Sequence, residues 1–374
     1  MNLCECVIFG VKTLMQLSKM LGDLLPLADP LRVKRVEKDD ALREIHIYLE
    51  IAKDYHPPTG QVLHQYYDRQ WEHLALFQYR CFIHCCLPVY KDTASGKTKA
   101  LRVGFSREQS RFTLLYEQRV MDLMRLHHNI TKVAEQLQLY PQRIASIYDH
   151  YTEEAYQAHC ISACRQVGID ETSTRKGQHY ITAFVDMDTH KILALEDGKG
   201  ADTLERFFAN HPNPAVVQDI SSDMSPAFAK GVQHYFPWAK VTYDKWHVFK
   251  LLSKHLEKLT KKHPDKRAYT MLLQEHLVAF YQQSCLQTAK AQLCFIADLA
   301  EEVFGKNSFS KSVRKHYAGI AEHIQSQLTN GVLEGINSKI QTIKRVAKGF
   351  RYTDNFKKMI LFVFGQIEPQ FNTT

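Results

Sequence analysis

Three acidic side chains, Asp170, Asp223 and Glu334, are spaced so that a sheet and a later helix could gather them. Carboxylates drawn from separate elements suit a hard divalent cation such as Mg2+ or Mn2+, which takes oxygen ligands. Two such ions a few ångströms apart can activate an attacking oxygen and stabilise a leaving one, as phosphodiester chemistry on DNA requires. That chemistry needs a scaffold holding two acids side by side and a later element delivering the third.

The middle of the chain has the pattern of such a scaffold. In "CRQVGIDETS", Val167 and Ile169 alternate with Gly168 and Asp170, a half-buried strand ending in an acid. "HYITAFVDMD" and "HKILALEDG" follow as strands joined through Asp188 and Thr189. "ADTLERFFANH" is an amphipathic helix and "AVVQDI" a strand just before Asp223. Ser225-Pro226 opens another helix, and "AKVTYD" is a strand ending at Asp244. Three strands followed by helix-strand-helix-strand predict an α/β fold with a ribonuclease-H-like mixed sheet, in which Asp170 and Asp223 are neighbours. Asp219, four residues before Asp223, is a rival second acid. Glu171 should face away from Asp170. Asp244 and His247 could support a metal site or simply close a strand-helix junction. Arg175 and Lys176 read equally as phosphate contacts or as a solvated turn.

The third acid comes from "NGVLEGINSKIQTIKRVAKGF". Leu333, Ile336, Ile340, Ile343 and Ala347 form one helical stripe. Glu334 lies beside it, aligned with Asn337, Gln341, Arg345 and Lys348, and Lys344 and Arg351 add charge nearby. A carboxylate leading a row of amides and cations is sensible where metal meets a phosphate backbone. For one acid on one helix, a plain solvated face is the commoner reading.

Upstream, "ITKVAEQLQLYPQRIASIYDHY" has helix-turn-helix spacing. A short helix from Thr131 to Leu137 buries Val133, Ala134 and Leu137; a turn follows at Gln138 to Tyr140, and Pro141 suits the first position of a second helix. There Ile144 and Ile147 face inward while Gln142, Arg143 and Ser146 face out. Such a helix can lie in the major groove with Arg143 on a base edge or phosphate, though an ordinary helical hairpin has the same pattern.

Four blocks now make a resemblance specific: "GIDETSTRKGQHYITAFVD", "SSDMSPAFAKGV", "YDKWHVFKLL" and "LEGINSKIQTIKRVAKGFR". In this order they resemble the ISL3 group of bacterial insertion-sequence transposases, over roughly residues 20–365. The resemblance implies that Asp170, Asp223 and Glu334 are the Asp-Asp-Glu metal-binding triad, with two Mg2+ or Mn2+ ions expected. The intervals are 53 and 111 residues, and the long second one implies a helical insertion. It further implies cleavage at the element's terminal inverted repeats, attack of the freed 3′-hydroxyl on target DNA, and a homo-oligomer on DNA associated with the bacterial nucleoid. A zinc module built on paired cysteines is frequent in the group. Here only Cys81, His84, Cys85 and Cys86 cluster, without a second pair, and His56 stands where a cysteine would be expected. Structural zinc is therefore disfavoured against buried cysteines.

Composition agrees. The 374 residues carry 48 Lys+Arg against 40 Asp+Glu, a net charge of +8 that suits a polyanionic partner. The nine cysteines show no disulfide framework, and no run approaches a membrane span, so the expected compartment is the reducing cytoplasm, with no membrane partner. Cys160 and Cys164 read as packing residues one helical turn apart. The expected organisation is a mixed domain over 1–100 (a degenerate zinc ribbon), a helix-turn-helix over 105–158, and a catalytic core over 165–250. A helical insertion over 251–329 and the core's final helix over 330–365 complete it. The alternatives are a nuclease without strand transfer, or an inactive relative that only binds the repeats.

Overall fold

The computed structural model describes residues 27, 29–57, 59–174, 179–326, 328, 331–350, 352–364 and 367–371. Arg175, Lys176, Arg351, Cys4 and Cys6 lie outside the described residues. The chain forms two compact units, Met1–Tyr151 with Pro369–Thr374, and Thr152–Glu368. Among the described residues no helix is long and apolar enough to cross a membrane.

The first unit opens with a sheet of β1 (Leu31–Asp39), β2 (Glu44–Ile51), β3 (Gln61–Leu76), β4 (Tyr79–Asp92) and β5 (Thr98–Ala100). The order is β1-β2-β4-β3, with β5 on β4, and only β2 and β4 pair in parallel. Alternating burial puts Ile47, Leu49, Cys81, Ile83, Cys85 and Leu87 around Trp71. The long β3–β4 hairpin was not legible in the sequence, because residues 62–68 of β3 are exposed on both faces and show no alternation. The same period of two sends Cys81 and Cys85 into the core and His84 and Cys86 to the other side, so these four do not converge on one point. Burial pushes the Cys81 and Cys85 thiols up to about 12, as for packing residues.

Three helices follow: α1 (Leu114–His127), α2 (Ile130–Leu137) and α3 (Pro141–Gln157). Asn129 caps α2 by accepting from the Lys132 amide at 3.0 Å, and Gln138 ends it in the left-handed region at φ 53°. Val133, Ala134, Ile144 and Ile147 are buried, and Gln142, Arg143 and Ser146 are exposed, as helix-turn-helix spacing requires. The wholly buried Glu117 accepts from Ser110 Oγ at 2.7 Å, Tyr151 Oη at 2.6 Å and Arg107 Nε at 2.9 Å, tying α1, α3 and the preceding loop together.

The second unit holds β6 (Gln166–Ser173), β7 (Tyr180–Asp186), β8 (Ile192–Asp197), β9 (Asp219–Ser222) and β10 (Lys240–Tyr243), with α4 (Ala201–Asn210) and α5 (Pro226–Tyr235). The order is β10-β9-β6-β7-β8; β7 runs antiparallel to both of its neighbours, β6 and β8, and β9 and β10 run parallel to β6. This is the expected ribonuclease-H-like arrangement. One face packs Val167, Ile169, Phe184 and Ile220 against Leu204 and Phe207 of α4 and Phe228 and Val232 of α5. Then come α6 (Lys245–Lys262), α7 (Arg267–Phe280), α8 (Leu286–Phe304), α9 (Ser308–Lys315) and α10 (Tyr317–Ser326). They bury a core of their own around Leu252, Leu273, Leu277, Leu293, Ile296 and Phe309.

The chain returns with α11 (Gly331–Val346) and α12 (Thr353–Val363), two helices where the sequence had suggested one. Gly349 at φ 93° closes the first, and α12 buries Phe356, Met359, Ile360 and Phe362. Cys160 and Cys164 are not on a helix; Cys164 packs in the core and Cys160 is exposed. A tight point is Gly168 of β6, where an added Cβ would collide with Met187 Sδ and lie 2.8 Å from Leu333 Cδ2 of α11. Gly168→Val should therefore destabilise by about 1–3 kcal/mol, lowering the melting temperature by several degrees. Leu333→Ala in the same chain should recover part of that loss. A thermal melt of Gly168→Val identical to wild type would refute this packing.

Candidate active site

The strand register itself assembles the acids. In the parallel ladder of β6 and β9, Gln166 pairs with Asp219 and the pairing runs through Ile169 with Ser222. In β9 and β10, Asp219 pairs with Lys240 through Ser222 with Tyr243. The next residue in each case is an aspartate: Asp170 within β6, and Asp223 and Asp244 just past the ends of β9 and β10. Neighbouring strands lie about 4.8 Å apart and matching positions share a face, so the three form a row on the Gly168 face. Asp170 does not end its strand, since β6 runs on to Ser173. Asp219 begins β9 opposite Gln166, four residues or about 13 Å of strand from that row.

Helix α11 lies along β6 on the same face. Leu333 meets Gly168, Asn337 Nδ2 donates to Asp170 Oδ2, Gln341 Nε2 donates to Thr172 Oγ1 at 2.6 Å, and Lys344 Nζ donates to the Ser173 carbonyl at 2.8 Å. A four-residue step along a helix covers about 6 Å and a two-residue step along a strand about 6.6 Å, so contacts repeat without drift. Glu334 sits in the first turn of α11, exposed, three residues before Asn337. Glu334 forms no close three-ligand group with Asp170 and Asp223 among the described residues. Among the described residues, no three acidic, imidazole or thiolate side chains converge closely enough to hold a metal ion. Of the basic and amide residues expected on DNA, Asn337 and Lys344 turn onto β6, while Arg345 and Lys348 are exposed.

Electrostatics mark the row as unusual. Burial pushes the Asp170 carboxyl up to about 6; Asp223 and Asp244 add to this, while the Glu171 amide (2.8 Å from Oδ1) and His247 oppose it. Asp223 Oδ1 accepts from the Ser225 amide at 3.0 Å, at the mouth of α5. Asp244, 5 % exposed, caps α6 by accepting from the His247 amide at 2.9 Å, and its Oδ1 lies 3.1 Å from His247 Nδ1. Two of the three acids therefore sit at helix N-termini, which favour negative charge. Glu171, discounted from the sequence, is half-buried, and its carboxyl is raised by burial and then by Asp223. The sequence did contain a signal for Asp244: "GID", "SSD" and "TYD" close equivalent stretches of three parallel strands. An all-oxygen donor set is of the kind that Mg2+ or Mn2+ takes, but as placed these carboxylates do not close into a three-ligand group among the described residues.

Residues 101–152 match the helix-turn-helix domain of transposase family ISL3. Residues 167–270 and 264–360 match the transposase profile of that family. A relative, the transposase for insertion sequence element IS1001 of Bordetella parapertussis, is 22 % identical over 384 aligned positions, covering 87 % of this chain and 93 % of its own length. The chain belongs to the ISL3 family of DNA transposases.

Proposed function

We propose that this transposase cuts DNA at the ends of its insertion sequence and joins them to target DNA using Asp170, Asp223 and Glu334 as its metal-binding triad. The observation that carries this reading is the parallel register of β6 and β9, which runs up to Asp170 and Asp223, with α11 tied to Asp170 by Asn337. Divalent Mg2+ or Mn2+ would supply charge neutralisation at the reacting phosphate, held by the two aspartates and by Glu334 from the helix above. Asn337 is a positioning residue that fixes the Asp170 carboxylate, and the Asp244–His247 pair holds the neighbouring end of the row. Water attacks phosphorus and the P–O3′ bond breaks, leaving a 3′-hydroxyl and a 5′-phosphate. The 3′-hydroxyl then attacks a target phosphodiester, so no covalent protein–DNA link is needed. Arg345 and Lys348, exposed on α11 and its end, face the backbone. Gln142 and Arg143 at the start of α3 read the terminal repeats. The work is done on bacterial DNA in the cytoplasm, by two or more copies of the chain.

The direct test is cleavage and joining of a DNA carrying the element's own terminal repeats, in Mg2+ or Mn2+. Asp170→Ala, Asp223→Ala and Glu334→Ala should each reduce both steps by about 10²–10³-fold, a loss typical of a key electrostatic group, while repeat binding survives. Activity retained in Glu334→Ala would move the third acid to Asp244.

A second test needs no activity. The Asp170 carboxyl, raised to about 6 from an ordinary value near 4, binds its proton more tightly in the folded state. Its ionisation therefore costs stability, a cost that grows between about pH 4 and 6 and is fully present at pH 7. In metal-free buffer at pH 7, Asp170→Asn should be more stable than wild type by ~1–2 kcal/mol, and the difference should vanish below about pH 4. Mn2+ should raise the melting temperature of wild type and not of the variant. An equal Mn2+ response in both proteins would remove Asp170 from the metal site.

A further inference from the structure

Within the first unit, an open cleft of about 700 Å3 runs between β3, the loop before α1 and the first turn of α3. Arginines from separate elements meet there: Arg69 on β3, Arg80 on β4, Arg111 on the loop and Arg143 on α3. Arg80 is committed, to Glu72 at 3.1 Å and Glu44 at 3.5 Å. The other three have no carboxylate partner among the described residues. Arg69 donates to the Ser110 carbonyl at 2.7 Å and lies 5.2 Å from the Trp71 ring centroid. Arg143 lies 6.0 Å from the Phe112 ring centroid, and Arg111 is exposed. The acids in the cleft are Glu72, which Arg80 occupies, and Asp68, which pairs with the Cys86 thiol. The cleft is thus cationic, with an exposed Tyr67 among its walls.

Its shape is also fixed in advance. The Glu72 amide donates to the Arg111 carbonyl at 2.8 Å, and the Thr113 amide donates to the Glu72 carbonyl at 3.0 Å. These bonds stitch β3 to the segment that leads into α1, so sheet and helix-turn-helix hold the arginines at set positions. Guanidinium forks take phosphate oxygens bidentately, and stacking on rings orients them before the ligand arrives. We propose that this cleft is a DNA-backbone site in which Arg69, Arg111 and Arg143 take phosphates of the duplex that α3 reads. The inference rests on the α3 reading above and adds the N-terminal sheet as a second jaw on the same DNA.

The test is binding of the full chain to a fluorescent duplex of the element's terminal repeat and to a scrambled duplex, across a salt series. Arg69→Ala and Arg111→Ala should each weaken both duplexes alike by about 10-fold and flatten the slope of log affinity against log salt by about 1. Arg69→Lys, which keeps the charge, should keep the slope. Gln142→Ala should instead weaken the repeat and spare the scrambled duplex. Arg111 is exposed, so its variant should melt as wild type does and a binding loss cannot be blamed on folding. Unchanged affinity and slope in Arg69→Ala and Arg111→Ala, alongside a repeat-specific loss in Gln142→Ala, would overturn the cleft and leave the α3 reading intact. A Gln142→Ala variant that binds as wild type, with both arginine variants impaired, would uphold the cleft and remove base reading by α3.

Discussion

The second unit depends on one geometric match, the fit of α11 along β6. Strand side chains repeat on one face every two residues, and helix side chains return to one line every four. The two advances differ by only about a tenth of their length, so one helix can serve several strand positions in turn. Gly168 lets the helix in, because any side chain there would occupy the space of Leu333 and Met187. From that approach Asn337 reaches Asp170, Gln341 reaches Thr172 and Lys344 reaches Ser173. A helix 160 residues beyond the strand is thereby locked in register with it.

Against this packing stands an electrostatic cost. Three parallel strands each deliver an aspartate to the same edge, and burial and like charge raise the Asp170 carboxyl to about 6. The fold offsets part of that cost with polar contacts: Asn337 on Asp170, the Ser225 amide on Asp223, and the His247 amide on Asp244. The contacts of α11 with β6 begin at Leu333, one residue before Glu334.

The first unit uses a different device. Buried Glu117 accepts hydrogen bonds from Arg107, Ser110 and Tyr151, which anchors the helices to the loop that precedes them. The N-terminal sheet is held by apolar alternation around Trp71, with Cys81 and Cys85 as small hydrophobic groups in its core. Backbone bonds between Glu72 and the segment 111–113 then fix this sheet to the helix-turn-helix.

Local pattern determined much of this protein. Strand-like stretches marked β6 to β10 in order and helical spacing marked α2, α3 and α11, because each of these features depends on residues close in sequence. The 53-residue interval between Asp170 and Asp223 equals the register offset of β6 and β9, so that pair was legible before any coordinates. Other features were hidden because they arise from pairing at long range. The β3–β4 hairpin lacks alternation where both its faces are exposed, and the second closing helix α12 followed a break at Gly349. Only tertiary structure decided that Asn337 and Lys344 serve the strand, that Asp244 joins the aspartate row, and that arginines from distant segments share one cleft. Sequence periodicity sets which face a side chain takes, whereas its partner is chosen by packing between elements that the chain order keeps far apart.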